Sequence, residues 1–117
     1  LNESTVAYYP PDFFYSLMVK PKYCKRFRVK GDSMEPVICD GDTILVDCSP
    51  QEVIDGRVYA FVIRGQLKVK QLYSLIGGGY LVHSFNPTFP DEELKDDDLD
   101  TFHLVGRVRE RQGRSSL

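Results

Sequence analysis

Two side chains in this 117-residue chain have the types needed to break a bond together: Ser33, in VKGDSMEPVICDGD (29–42), and Lys70, in LKVKQLY (67–73). A serine hydroxyl is a poor nucleophile at neutral pH and needs a base within hydrogen-bond reach. Histidine is the usual base, but His83 and His103 lie in segments with no acid at a telling spacing. A lysine serves if it is held neutral, which burial in an apolar pocket favours by disfavouring the ammonium form. On a strand, Lys70 shares a face with Lys68 and Leu72, while Leu67 and Val69 take the other. Lys68 would then depress the Lys70 pKa by like-charge repulsion. Around Ser33, Gly31 permits an unusual backbone angle, Asp32 leads into the turn, and Pro36 stiffens its exit. The backbone amides of Ser33 and Met34 are the candidate donors to a developing oxyanion. By pattern alone, Lys70 is more often an exposed strand lysine and Ser33 more often a turn serine that caps the backbone.

The elements that must position this pair are mostly strands. LNESTVAYY (1–9) reads as an irregular or extended lead-in, and Pro10 and Pro11 interrupt it. PDFFYSLM suits a short helix with Phe13, Phe14 and Leu17 on one side, ended by Pro21. From Lys25 the period becomes two: Phe27 and Val29 face inward, and Arg26, Arg28 and Lys30 form a solvated basic face. Asp40-Gly41 and Asp55-Gly56 are turn signals before strands at 43–46 and 58–63. Arg64-Gly65 joins the latter to a strand at 67–73 as a hairpin. IGGGYLVHSF supplies a glycine-rich turn and another strand, and HLVGRVRER the last, with Arg107, Arg109 and Arg111 on one face. The acidic block DEELKDDDLD (91–100) reads as a solvated loop, and the final residues as a frayed end. This is a mostly β domain, barrel or sandwich-like, over residues 25–117, with residues 1–24 as a lead-in and linker segment.

Bulk properties narrow the function. The length suits one domain with a real core. A net charge of −2 argues against a broad basic surface for nucleic acid in this segment. Three cysteines without a CxxC spacing read as free thiols in a reducing, cytoplasmic compartment. No metal-ligand spacing occurs, no cofactor motif is present, and the apolar runs are shorter than a membrane span. The chain opens on Leu1 rather than Met, which reads as a piece of a longer protein.

Quoted in order, several stretches carry a resemblance. VKGDSMEPVICDGDTILVD resembles the nucleophile segment of the LexA-like self-cleaving repressors, the S24 peptidase family, with its G-D-S-M-x-P turn and D-G-D. DGRVYAFVIRGQLKVKQLY is similar to that family's strand-turn-strand carrying the catalytic lysine, SFNPTFP to its S-x-N-P-x-Y-P segment, and LVGRVRER to its closing I-G-x-V strand. The likeness runs collinearly from about Phe27 to Arg109 and is far more specific than either residue alone.

The resemblance implies a LexA/signal-peptidase-like compact β domain of coiled sheets with one short helix. It implies Ser33 and Lys70 as a catalytic dyad, with the oxyanion held by the amides of Ser33 and Met34. It also implies a homodimer whose substrate is its own linker, cut when RecA polymerised on single-stranded DNA stimulates it. Operator DNA would be bound only by an upstream helix-turn-helix domain. Three features depart from the family pattern. No Ala-Gly or Cys-Gly pair is present as a scissile bond, the helix-turn-helix is absent, and Gln71 stands where arginine is frequent. Other readings are a non-cleaving dimerisation and antirepressor-binding domain, a mutagenesis-type relative, and a type I signal peptidase, which would need a membrane anchor. The aromatic YYPPDFFY segment is a candidate to occupy or cover the cleft.

Overall fold

The computed structural model describes the backbone of residues 2–4 and 11–113, and the side chains of 13–113. Eight strands form a single antiparallel sheet: β1 Asn2–Ser4, β2 Cys24–Arg28, β3 Thr43–Asp47, β4 Arg57–Ile63, β5 Gln66–Ser74, β6 Tyr80–His83, β7 Glu92–Leu94 and β8 Phe102–Gln112. Their spatial order is β1-β2-β3-β8-β4-β5-β6-β7, with one short helix, α1 Pro11–Leu17. The expected mostly β class with one short helix is what is observed. The expected barrel or sandwich is instead one continuous open sheet.

The reason is β8. Its C-terminal half bonds β3 and its N-terminal half bonds β4, so it joins the two halves of the sheet. Both ladders slip by one residue, at Leu45/Val46 and at Ala60/Phe61, so Arg109 and Val105 are the extra residues on β8. Such bulges increase local twist and let a long sheet coil upon itself. They also overturn the expected single arginine face. Arg107 pairs with Asp47 and Arg111 with Ile44, on opposite faces of β3. Gly106 sits where β8 passes from one half to the other. A Cβ there would overlap the Asp47 carbonyl, so this close approach requires glycine.

Three apolar clusters follow from the strand alternation. Phe27, Val29, Met34, Ile38, Ile44, Val46, Ala60 and Val69 form one. Tyr59, Phe61, Ile63, Leu72, Val82 and Leu94 form the second, on the other face of β4 and β5. The third lies under α1, where Phe14 and Val19 pack on Cys24 and Leu45, with Phe13 and Leu17 at its margin. Arg109 extends the same way, its Nη2 donating to the Leu17 carbonyl at 2.7 Å and closing the helix end. Burial pushes the Cys24 thiol up to about 11, so it is an inert core residue.

Two expectations are corrected here. The described part of the aromatic segment, α1, packs on the sheet face away from Met34 and Ile38 and contributes nothing to the cleft. Tyr8, Tyr9 and Pro10 lie outside the described residues. The acidic block is not a simple loop. It supplies β7 and a 3-10 helix, Asp96–Thr101, because Leu94 and Leu99 anchor it on the second cluster. Among the described residues no helix is long and apolar enough to cross a membrane.

Candidate active site

The nucleophile turn follows directly from β2. Val29 still pairs across to Asp42, its N–H donating to the Asp42 carbonyl at 2.8 Å. Gly31 then reverses the chain at φ 91, a left-handed angle that favours glycine. No atom would obstruct a Cβ there, so conformation rather than space selects glycine. The D-G-D stretch holds the turn from below. Asp40 Oδ1 accepts the Gly31 N–H at 2.7 Å, and buried Asp42 accepts the Cys39 N–H at 2.7 Å and a guanidinium N–H of Arg111 at 3.3 Å. After Ser33 the chain makes a helical turn in which the Met34 carbonyl accepts from Val37 and Ile38. Met34 and Ile38 sink into the first cluster at 2% and 3% exposure and anchor the turn to the sheet.

Lys70 arrives from the other half of the molecule. In the β4–β5 hairpin it lies opposite Tyr59, on the face of Leu72 and Lys68, while Leu67 and Val69 face the first cluster. Its Nζ donates to Ser33 Oγ at 2.7 Å and to Ser84 Oγ at 2.9 Å. The lysine is half-buried and its pKa is lowered, chiefly by desolvation and then by the charge of Lys68, with Glu92 acting in the opposite sense. The Phe89 ring lies 5.6 Å from Nζ and also favours the ammonium form. Ser33, Lys70 and Ser84 line a cleft of about 610 Å³, floored by Phe61, Val82 and Leu94.

Two contributors to the site, and one pairing beside it, escaped the reading of the sequence. Ser84 is 5% exposed and holds Lys70 from the side opposite the turn. Its signal was present: Gln71 pairs with His83, so the register carried on by one residue sets Ser84 opposite Lys70. Asn86 is the second. Its backbone N–H donates to the Ser33 carbonyl at 3.0 Å and its Nδ2 to the Asp32 carbonyl at 3.1 Å. The third is a correction. His83 does have a partner acid, Asp91, with Nδ1 and Oδ1 at 2.6 Å, closing the base of the 84–90 loop. This histidine neighbours Ser84 on the strand and points to the opposite face; the group at hydrogen-bond distance from Ser33 Oγ is Lys70. Among the described residues, the amides of Ser33 and Met34 donate to no acceptor in the chain.

A serine hydroxyl, a desolvated lysine and two amides without an acceptor, all from residues lining one cleft, are groups with which acyl transfer can be carried out. Comparison with known proteins agrees in kind. The model of the Peptidase S24-like family matches residues 3–109. The repressor protein CI of Enterobacteria phage phi80 is 46% identical, over 68% of this chain and 34% of its own. The HTH-type transcriptional regulator PrtR of Pseudomonas aeruginosa is 40% identical, over 75% of this chain and 38% of its own. An uncharacterized HTH-type transcriptional regulator of Haemophilus influenzae is 27% identical over 86% of this chain and 42% of its own. The chain therefore spans well under half the length of these curated relatives. With nearly its whole length matched in one collinear block, the chain belongs to the Peptidase S24-like family.

Proposed function

We propose that this is the carboxy-terminal regulatory domain of a cytoplasmic transcriptional repressor that cuts its own chain upstream of β1, with Ser33 as nucleophile and Lys70 as base. The observation that carries the reading is the 2.7 Å contact between Lys70 Nζ and Ser33 Oγ, made by a lysine whose surroundings disfavour its charge. In the neutral form, Lys70 takes the Ser33 proton as Oγ attacks the scissile carbonyl carbon. The amides of Ser33 and Met34 stabilise the oxyanion. The Lys70 ammonium then returns its proton to the leaving amine, and a water deprotonated by Lys70 releases the acyl group from Ser33. Ser84 holds Nζ in line throughout.

The path of the chain supports a substrate in cis. β1 runs antiparallel to β2 with Asn2 opposite Arg28. The residues that follow Arg28, from Val29 to Met34, line the cleft. β1 therefore begins beside the end of β2 from which the chain goes on to the nucleophile turn. The name of the phage relative supports a repressor, and that of the Pseudomonas relative an HTH-type transcriptional regulator, with operator DNA contacted by a separate upstream domain. The resemblance to LexA-like proteins supports homodimerisation and stimulation by RecA on single-stranded DNA.

The test uses the full-length protein, incubated with RecA, single-stranded DNA and a nucleotide, and separately at mildly alkaline pH. The expected result is one cut upstream of β1, mapped by intact mass and absent from Ser33→Ala. A protein left whole under both conditions overturns self-cleavage in favour of a dimerisation and antirepressor-binding domain.

A further inference from the structure

The nucleophile turn is clamped from outside the cleft by a single residue whose two bonds fall on consecutive peptide groups. Asn86 Nδ2 holds the Asp32 carbonyl at 3.1 Å, and the Asn86 N–H holds the Ser33 carbonyl at 3.0 Å. Asp32 O and Ser33 N belong to one peptide plane, and Ser33 O and Met34 N to the next. Both peptides are trans, so in each the N–H points opposite to the C=O. Drawing both carbonyls towards Asn86 therefore turns both amides away from it. Ser33 and Met34 themselves line the cleft, so the two amides turned away from Asn86 belong to its wall. Asn86 is itself fixed. Its Oδ1 accepts from the Thr88 N–H at 3.1 Å and the Thr88 hydroxyl at 2.9 Å, which sets the amide so that Nδ2 faces Asp32.

We propose that Asn86, oriented by Thr88, is the positioning residue of the oxyanion hole, aligning the amides of Ser33 and Met34 without touching substrate. This rests on the reading of Ser33 as nucleophile. Oxyanion donors act by being pre-aligned, so freeing them lowers the rate of attack while leaving the protonation equilibrium of Lys70, which sets the pH inflection, unchanged. A residue that merely held Ser33 against Lys70 would instead move the pH dependence.

The experiment follows phosphonylation of Ser33 in the full-length protein by a fluorophosphonate, read by intact mass against pH. Ser33 Oγ attacks phosphorus, fluoride leaves, Lys70 accepts the hydroxyl proton, and the phosphoryl oxygen occupies the oxyanion position. Asn86→Ala is expected to lower the plateau rate about 10- to 100-fold. Thr88→Val, which keeps Asn86 and the backbone bond to its Oδ1 but removes the hydroxyl bond, gives a smaller fall. In both the inflection stays where it is in the unaltered protein, and the melting temperature of Thr88→Val stays within a few degrees. Labelling of Asn86→Ala within twofold of the unaltered protein, an inflection displaced together with the rate, or no labelling of Ser33 in the unaltered protein would each overturn the proposal. An unaltered protein that labels at Ser33 yet never cuts itself contradicts self-cleavage alone.

Discussion

Ser33 and Lys70 come from two halves of the sheet, and the halves position them by different means. Lys70 sits in a regular ladder, where pairing with Tyr59 fixes its face and the neighbouring β6 brings Ser84 to its amine. Ser33 sits in irregular backbone held by individual contacts: Asp40 on Gly31, the distant Asn86 on Asp32 and Ser33, and the neighbouring Met34 buried in the first cluster. Strand register is set by an alternating pattern and survives most single substitutions. A turn built on individual polar bonds and one apolar anchor does not. The base side of the site should therefore fail mainly through chemistry, and the nucleophile side also through structure.

The largest effect expected is chemical and equal on the two sides. Ser33→Ala and Lys70→Ala should each reduce self-cleavage by about 10⁴-fold or more, and the double variant should be no worse, because the two act as a unit. A quantitative gel of the full-length protein gives the rates. Additive losses would break the pairing. Ser84→Ala should slow cleavage by roughly fivefold, since one hydrogen bond of about 1 kcal/mol ceases to hold the amine in line. The comparison sharpens in stability. Met34→Ala should cost about 2–5 kcal/mol in denaturant unfolding by emptying the anchor under the turn. Gly31→Ala should cost roughly 1–2 kcal/mol for backbone angle alone, and Lys70→Met should cost less than Met34→Ala at neutral pH, because removal of the desolvated charge offsets the two hydrogen bonds lost.

That last expectation follows from the direction of the Lys70 shift. Its folded pKa is below the 10.5 of a free lysine. Between the two values the unfolded chain holds more protons than the folded one, so stability rises with pH across that window. Below the folded value the half-buried ammonium penalises the fold, and Lys70→Met removes both the penalty and the rise. The smallest effects are on the inflection of the cleavage rate. Lys68→Met should move it to higher pH and Glu92→Gln to lower pH, because these two charges act on Lys70 in opposite senses.

What could be read in the sequence follows the same division. Period-two alternation located the strands around Phe27, Val46, Phe61 and Val69, and the face of Lys70. Apolar spacing located the helix with Phe13, Phe14 and Leu17. The bulges at Val105 and Arg109 left no mark in the pattern, so neither the continuity of the sheet nor the split between Arg107 and Arg111 was legible. The same limit hid the pairing of His83 with Asp91, which depends on how the 84–90 loop closes. In the acidic block, charge obscured Leu94 and Leu99, the two residues that fold it down.

The most direct test of the central claim is the rate of self-cleavage of the full-length protein against pH, with Lys70→Ala alongside. The account predicts a rate that climbs as Lys70 loses its proton, with an inflection below the 10.5 of a free lysine, and no cleavage by Lys70→Ala at any pH. A rate independent of pH, or a Lys70→Ala protein that cuts itself as fast as the unaltered one, would contradict it.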